Sequence, residues 1–442
     1  MNQSLSRSFT FRSLLMFALP TTVMMIVMSL YTIVDGIFIS RFVSTNALSS
    51  LNIVFPVINV AMGVAIMLSA GGNAIVSRKL GQGTPDKARQ TFSTLVVLNL
   101  LLGLAAAVLG WMFAVPISRI LGASEVLLAD CVTYLRIQMA FAPALMLQIL
   151  FQMFFVTEGR PGTGLFLTLL AGICNVVLDY VLIVPLGLGI AGAALATVTG
   201  YLVVAIVGLI YFSVSRKCLW IVKFRFSGAE IGETCINGSS EMVSNLSSGI
   251  ITFMFNLLMM HYAGENGVAA ITIIQYSQFL LNALFLGFSQ GISPVIGFNY
   301  GSENHQQLKQ IFRTALIFIG ITSAAVFLLA EFAGFLIVEI FAQGGSQVYD
   351  LAKHGFTIFA VSFLFSGLNI FSSALFTSLS NGRISAIISF VRTFVLIVAS
   401  LAILPLLLGI DGIWLAIPIA EAGASLMCVG YLKKFKSTYH YL

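Results

Sequence analysis

The sequence is poor in charge. Only 9% of its 442 residues are Asp, Glu, Lys or Arg, against 59% hydrophobic residues and a mean hydropathy of +1.01. A water-soluble globular domain carries about 25% charged residues, so that class is excluded. Metal-ligand clusters are also missing. Cys131, Cys174, Cys218, Cys235 and Cys428 are scattered, as are His261, His305, His354 and His440, and no His-Glu-x-x-His occurs. Neither a Gly-x-Gly-x-x-Gly turn nor a phosphate loop ending in Gly-Lys-Ser/Thr is present, so no nucleotide motor is built in. The basic residues form broken groups rather than the continuous stripe of a nucleic-acid binder; Lys223 and Arg225 are expected to meet anionic lipid. These absences lead us to expect neither an enzyme nor a cofactor.

What the chain has is apolar length. Hydropathy divides it into twelve spans at about 13–40, 50–76, 92–115, 132–156, 163–184, 189–212, 236–260, 266–296, 312–338, 354–378, 385–406 and 410–432. Each is near or above the roughly 20 residues a crossing helix needs. No small-residue cleavage signature follows the first run, which is therefore read as a retained span. The breaks 185–189 and 408–412 are so short that each must be a tight helical hairpin. Pro20, Pro56, Pro143, Pro294 and Pro418 fall inside spans, where each can kink or open the helix, packing devices being the plainer alternative. Arg41, Arg119, Arg136 and Lys353 lie at one end of the spans and Arg392 lies within one. Every other Lys and Arg falls at the end that carries both termini. Positive charge stays inside, so both termini are expected in the cytoplasm of a multi-pass protein of the cytoplasmic (inner) membrane.

The sequence also repeats itself at an offset of 220 residues. Ser69, Gly71 and Gly81 fall on Ser289, Gly291 and Gly301, and Pro185-Leu186 falls on Pro405-Leu406. In between, Gly159-Arg160 pairs with Gly382-Arg383, a slip of about three residues. Six spans return the chain to its starting side, so the halves share one topology and are related by an axis along the membrane normal. The expected fold is all-α, with a lobe over 1–225, a second over 226–442 and a cleft between them. Paired repeats of this kind suit alternating access.

Ionisable groups inside spans mark function by default. Asp35 lies one turn after Tyr31, and a carboxylate there costs roughly 2.5–3.5 kcal/mol on insertion scales. Asp179 lies in the fifth span, four residues after Asn175 and on the same face. Both spans run outward, so the two acids are expected at similar depth. Such a pair can carry a proton or, with hydroxyls and carbonyls, hold Na⁺. Its repeat equivalents are Phe255 and Ala399, so the site belongs to the first lobe alone. Gln148 and Gln152, then Ser248, Thr252 and Asn256, then Gln275, Gln278 and Asn282 follow helical spacing. They are candidate cavity linings, with interhelical hydrogen bonding as the plainer alternative. Tyr31 and Met28 join them, methionine adapting to irregular partners. Glu421 has Arg392 as its candidate partner, and Glu241 lies near the start of the seventh span.

Several short motifs carry a family resemblance: Ala18-Leu19-Pro20, Tyr31-Thr32-Ile33-Val34-Asp35, Arg78-Lys79-Leu80-Gly81-Gln82-Gly83, Thr157-Glu158-Gly159-Arg160, and Asn175 with Asp179. Across about residues 11–432 the chain resembles the multidrug and toxic-compound extrusion (MATE) transporters. It looks most like their DNA-damage-inducible and staphylococcal-type prokaryotic branch. The resemblance implies two six-helix lobes around a V-shaped cleft. It implies antiport of cationic amphipathic drugs and dyes against H⁺ or Na⁺, with the key acid at Asp35 and a second at Asp179. The partners expected are small amphipathic cations and membrane lipid, with the chain acting as a monomer and binding no nucleic acid. The alternative is a flippase for a lipid-linked precursor, which requires a strongly cationic cavity.

Overall fold

A computed structural model describes residues 3–342 and 344–441, without the side chains of residues 3, 4, 36, 37, 40, 41, 45 and 46. Arg41, assigned above by sequence, lies among these undescribed side chains. Nine helices are long and apolar enough to cross a membrane on their own, and two more crossings are bent helix pairs. One of the nine, the 74-residue Gly228–Gly301, is two crossings joined at Gly264, whose φ of 62° suits glycine. The described residues therefore make twelve crossings.

We number them α1 (Phe11–Phe42), α2 (Thr45–Gly81), α3 (Pro85–Ile120), α4 (Glu125–Ala140 with Ala142–Thr157), α5 (Pro161–Ile183) and α6 (Gly189–Val214). In the second lobe α7 and α8 are 228–263 and 265–301. They are followed by α9 (His305–Phe341), α10 (Gln347–Ala360 with Phe363–Ser378), α11 (Gly382–Phe390 through Val391–Val395 to Leu396–Leu408) and α12 (Ile410–Tyr439). Most helices outrun their apolar spans, because backbone hydrogen bonding continues past the lipid edge until a cap or glycine stops it. Thr10 and Ser13 form a reciprocal capping box, and Ser44, Asn304, Ser346 and Asn381 cap four other starts.

The structure refines one sequence expectation and corrects another. Of the five prolines, only Pro143 sits at a break, the 53° bend of α4, where it lies in the first turn of the second half. Pro20, Pro56, Pro294 and Pro418 lie inside continuous helices, and the 56° bend of α10 has no proline. The repeat slip is also smaller than three residues. Gly159 N and Arg160 N bond to Val156 O and Phe155 O, and Ser380 N and Asn381 N bond likewise to Thr377 O and Phe376 O. Gly159 thus corresponds to Ser380, both at positive φ, and the slip is one residue. The two hairpins are present, the second turning at Gly409.

The lobes meet most tightly at the end that carries the basic loops. Gly81 packs on Phe298 O and its repeat equivalent Gly301 on Arg78 O; a Cβ at either would strike backbone. There the last turn of α2 also pairs with the first turn of α7, through Arg78–Glu233 at 2.8 Å and Lys79–Glu230 at 2.5 Å. Both termini lie at this end: Gln307 donates to Phe9 O at 2.9 Å, and Phe312 packs on Tyr441. Leu5, Phe9, Leu14 and Phe17 are buried in the core of the second lobe. The joining segment 215–227 is bound to the first lobe. Glu158 accepts from Cys218 N at 3.1 Å and Leu219 N at 2.7 Å, and Arg89 stacks on Trp220. Burial pushes the Glu158 carboxyl above its ordinary range, and those two backbone donors act against the shift.

Candidate ion and substrate sites

α1 and α5 pack side by side, and the register of each turns one acid toward the other. Asp35 and Asp179 lie close enough to act directly on each other, and two neighbouring carboxylates are favoured together when a proton or a cation is shared between them. Asp179 is 1% exposed and Asn175 2%. One oxygen of each acid and both polar atoms of Asn175 are buried without a hydrogen-bond partner, and neither acid forms an ion pair among the described residues. Unmet acceptors in low dielectric are costly, so this site gains from any small cation it receives.

Beside the acids is a cavity of about 20 Å³ lined in part by Met28, Tyr31, Gln148, Asn175 and Tyr201. That is room for about one water-sized guest. Tyr134 and Tyr201 lie within electrostatic reach of Asp35 and were not singled out by sequence. Tyr201 carried a usable signal, since the repeat offset places it on Glu421.

The other candidate polar residues separate into two groups. Gln275, Gln278 and Asn282, with Ser248 and Thr252, line a cavity of about 360 Å³ inside the second lobe. Gln152 donates to Thr168 at 2.9 Å and faces a third, small cavity between the lobes, with Met24 and Asn73. Asn73, which sequence reading missed, also accepts a short hydrogen bond from Thr157. Asn256, expected to extend the α7 stripe, does not line the large cavity, and its side-chain oxygen is buried without a partner. Phe255, at the repeat position of Asp35, is 1% exposed in the apolar core of the second lobe.

Arg392 and Glu421 form the expected pair. Nη2 lies 2.8 Å from Oε1, and Nε lies 2.9 Å and 3.0 Å from the two carboxylate oxygens. Asn369 donates to the same carboxylate at 2.6 Å and to Glu421 O at 2.8 Å. Arg392 sits on the single π-turn of α11, Val391–Val395. Such turns mark a local misfit of helix and neighbour and recur at functional positions. No group of three or more His, Cys, Asp or Glu side chains that could hold a metal occurs among the described residues.

Comparison with known proteins agrees with this geometry. The family model described as MatE matches residues 20–181 and again 242–402, one match in each lobe. The chain is 24% identical over 440 residues to the multidrug export protein MepA of Staphylococcus aureus (strain bovine RF122 / ET3-1), covering 98% of this chain and 96% of that one. It is 26% identical over 417 residues to MepA of Staphylococcus haemolyticus (strain JCSC1435), covering 93% and 90%. Among solved structures it is similar to a MATE protein in complex with MaL6, with a TM-score of 0.94 at 22% identity over 100% and 99% of the two chains. It is likewise similar to an outward-facing MATE multidrug resistance transporter, with a TM-score of 0.92 at 23% identity over 100% and 98%. These structural likenesses show the twelve-crossing fold. The chain thus belongs to the MatE family and is a non-catalytic secondary transporter of the membrane.

Proposed function

We propose that the protein is a cation-coupled antiporter that exports cationic amphipathic drugs and dyes across the cytoplasmic membrane. Asp35 and Asp179 hold the driving ion, H⁺ or Na⁺, and Asn175 supplies a neutral amide beside them. The observation that carries this reading is the facing acid pair, Asp179 buried and Asp35 half-buried, with an unmet acceptor on each and no cationic side chain among the described residues to satisfy them. A bound ion removes the cost of unpaired charge in low dielectric. It biases one conformation over another to the extent that its affinity differs between them.

In this reading residues 1–225 form the ion-coupling lobe and 226–442 its partner. Both termini are cytoplasmic, and the cleft faces outward when the basic end is closed. The chain works as a monomer and belongs with the DNA-damage-inducible and staphylococcal-type branch, a placement that the MepA similarities support. A lipid-diphosphate flippase fits less well, because the arginine in the large cavity is already bound by a carboxylate.

Ethidium efflux from proteoliposomes, with H⁺ and Na⁺ gradients imposed separately, tests the proposal. One gradient drives saturable efflux and the other does not. An absence of efflux under either gradient by well-reconstituted protein would refute it.

A further inference from the structure

The large cavity of the second lobe contains charge that ion coupling in the first lobe does not use. Its volume of about 360 Å³ falls in the range of about 300–1,000 Å³ that takes drug-sized ligands. Three ionisable side chains line it: Glu241 from α7, Arg392 from α11 and Glu421 from α12. Arg392 and Glu421 satisfy each other at 2.8–3.0 Å, and Asn369 completes the shell of the carboxylate. Glu241 has no hydrogen-bond or ion-pair partner among the described residues; Arg392 acts on it only through space. One carboxyl group is therefore left without a partner, that of Glu241.

Position adds to this. Glu241 also lines the small cavity between the lobes, with Met24, Asn73 and Gln152 from the first lobe. It thus stands where the cavity of the second lobe meets the interface between the lobes. The remaining wall mixes amides, Gln275, Gln278 and Asn282, with apolar surface from Phe279 and Ile397. A bare monovalent ion needs several oxygens converging on one point, which so wide a space does not supply. An organic cation needs one carboxylate, a few hydrogen-bonding groups and an apolar wall, and all are present.

We propose that Glu241 is the charge anchor for the cationic head of a transported amphipath, whose body lies in the second-lobe cavity. This deepens the antiporter reading and rests on it for the substrate class. It assigns the two lobes different cargo, the driving ion to the first and the organic cation to the second.

The test is equilibrium binding of ethidium, and separately of an uncharged lipophilic dye, to the full-length protein in lipid nanodiscs. Glu241→Gln is expected to weaken ethidium binding by about tenfold or more, while the uncharged dye binds as before. Glu241→Asp, which keeps the charge, is expected to recover most of the loss. Unchanged ethidium affinity in Glu241→Gln would overturn the assignment, as would a Glu241→Asp protein that binds no better than Glu241→Gln. Either result leaves the antiporter reading intact. Failure of the wild-type protein to bind ethidium saturably would remove the substrate class and the anchor together. A site for a bare ion at Glu241 is the competing outcome; it would appear as ethidium binding that ignores Glu241 while Na⁺ or H⁺ binding depends on it.

Discussion

The two lobes share one scaffold and use its interior in opposite ways. In the first, two acids face each other beside a space of about 20 Å³, with no cation paired to them among the described residues. In the second, the position of Asp35 is taken by buried Phe255, and the acid on α12 is locked to Arg392 beside a space of about 360 Å³. The repeat offset places Tyr201 of the first lobe on Glu421 of the second. A tight, unpaired acid site suits a small ion that must be released. A wide cavity whose main charges are already matched suits a cargo held by shape and one leftover carboxyl group. The repeat gives two bundles of one topology, and side-chain changes at a few equivalent positions would account for the proposed division of work.

The largest effect on stability is expected where charge is matched. Arg392→Met leaves Glu421 buried without its partner, and breaking such a pair costs about 3–5 kcal/mol. Thermal unfolding in detergent should show the midpoint falling by several degrees. Asp35→Asn should leave the midpoint equal or raise it, because it removes an acid with an unmet acceptor. If both substitutions destabilise equally, the contrast between matched and unmatched charge fails.

Asp179→Asn comes next. Asp179 is read as the partner of the carrier acid, so gradient-driven ethidium efflux should fall, by less than with Asp35→Asn, while the protein still reaches the membrane. A greater loss at Asp179 than at Asp35 would exchange their roles. Phe255→Leu should alter packing or dye preference and leave ion dependence unchanged. Assays under stepped ion gradients check this, and a shifted ion dependence would mean that coupling extends into the second lobe.

Much of the fold was legible because bilayer thickness dictates helix length, and apolar runs of that length have few other uses. The acid pair was legible for a related reason. Spans one and five run the same way, so acids near the same end of each must share a depth. The Arg392–Glu421 pair could be named because intramembrane charges seek partners. Other features left no trace. The bend of α10 between Ala360 and Phe363 lacks a proline, and the π-turn at Val391–Val395 reflects fit to neighbouring helices. The docking of 215–227 depends on Glu158 and Arg89; Glu158 stood in a family motif, but nothing in the sequence tied either residue to the joining segment. Asn256 lies off the large cavity because helical spacing specifies a face but not what the face meets. In lipid both faces of a helix are apolar, so periodicity says little about which one is inside.

The smallest effect concerns the closed end. Arg78–Glu233 and Lys79–Glu230 join α2 to α7, and their partly exposed side chains limit each pair to about 0.2–1 kcal/mol. Glu230→Gln should shift the balance between open and closed forms only modestly. Thiol labelling of a cysteine placed on the cleft wall should slow by less than fivefold. An unchanged labelling rate would show that the packed glycines alone hold this end shut.

The central claim is that Asp35 couples an ion gradient to export and is not needed for the cargo to move. Asp35→Asn and wild-type protein, reconstituted at equal density, should be compared for uphill ethidium accumulation under the driving gradient and for ethidium exchange without a gradient. The account predicts that Asp35→Asn loses the first and keeps the second. Uphill accumulation by Asp35→Asn at the wild-type rate would contradict it.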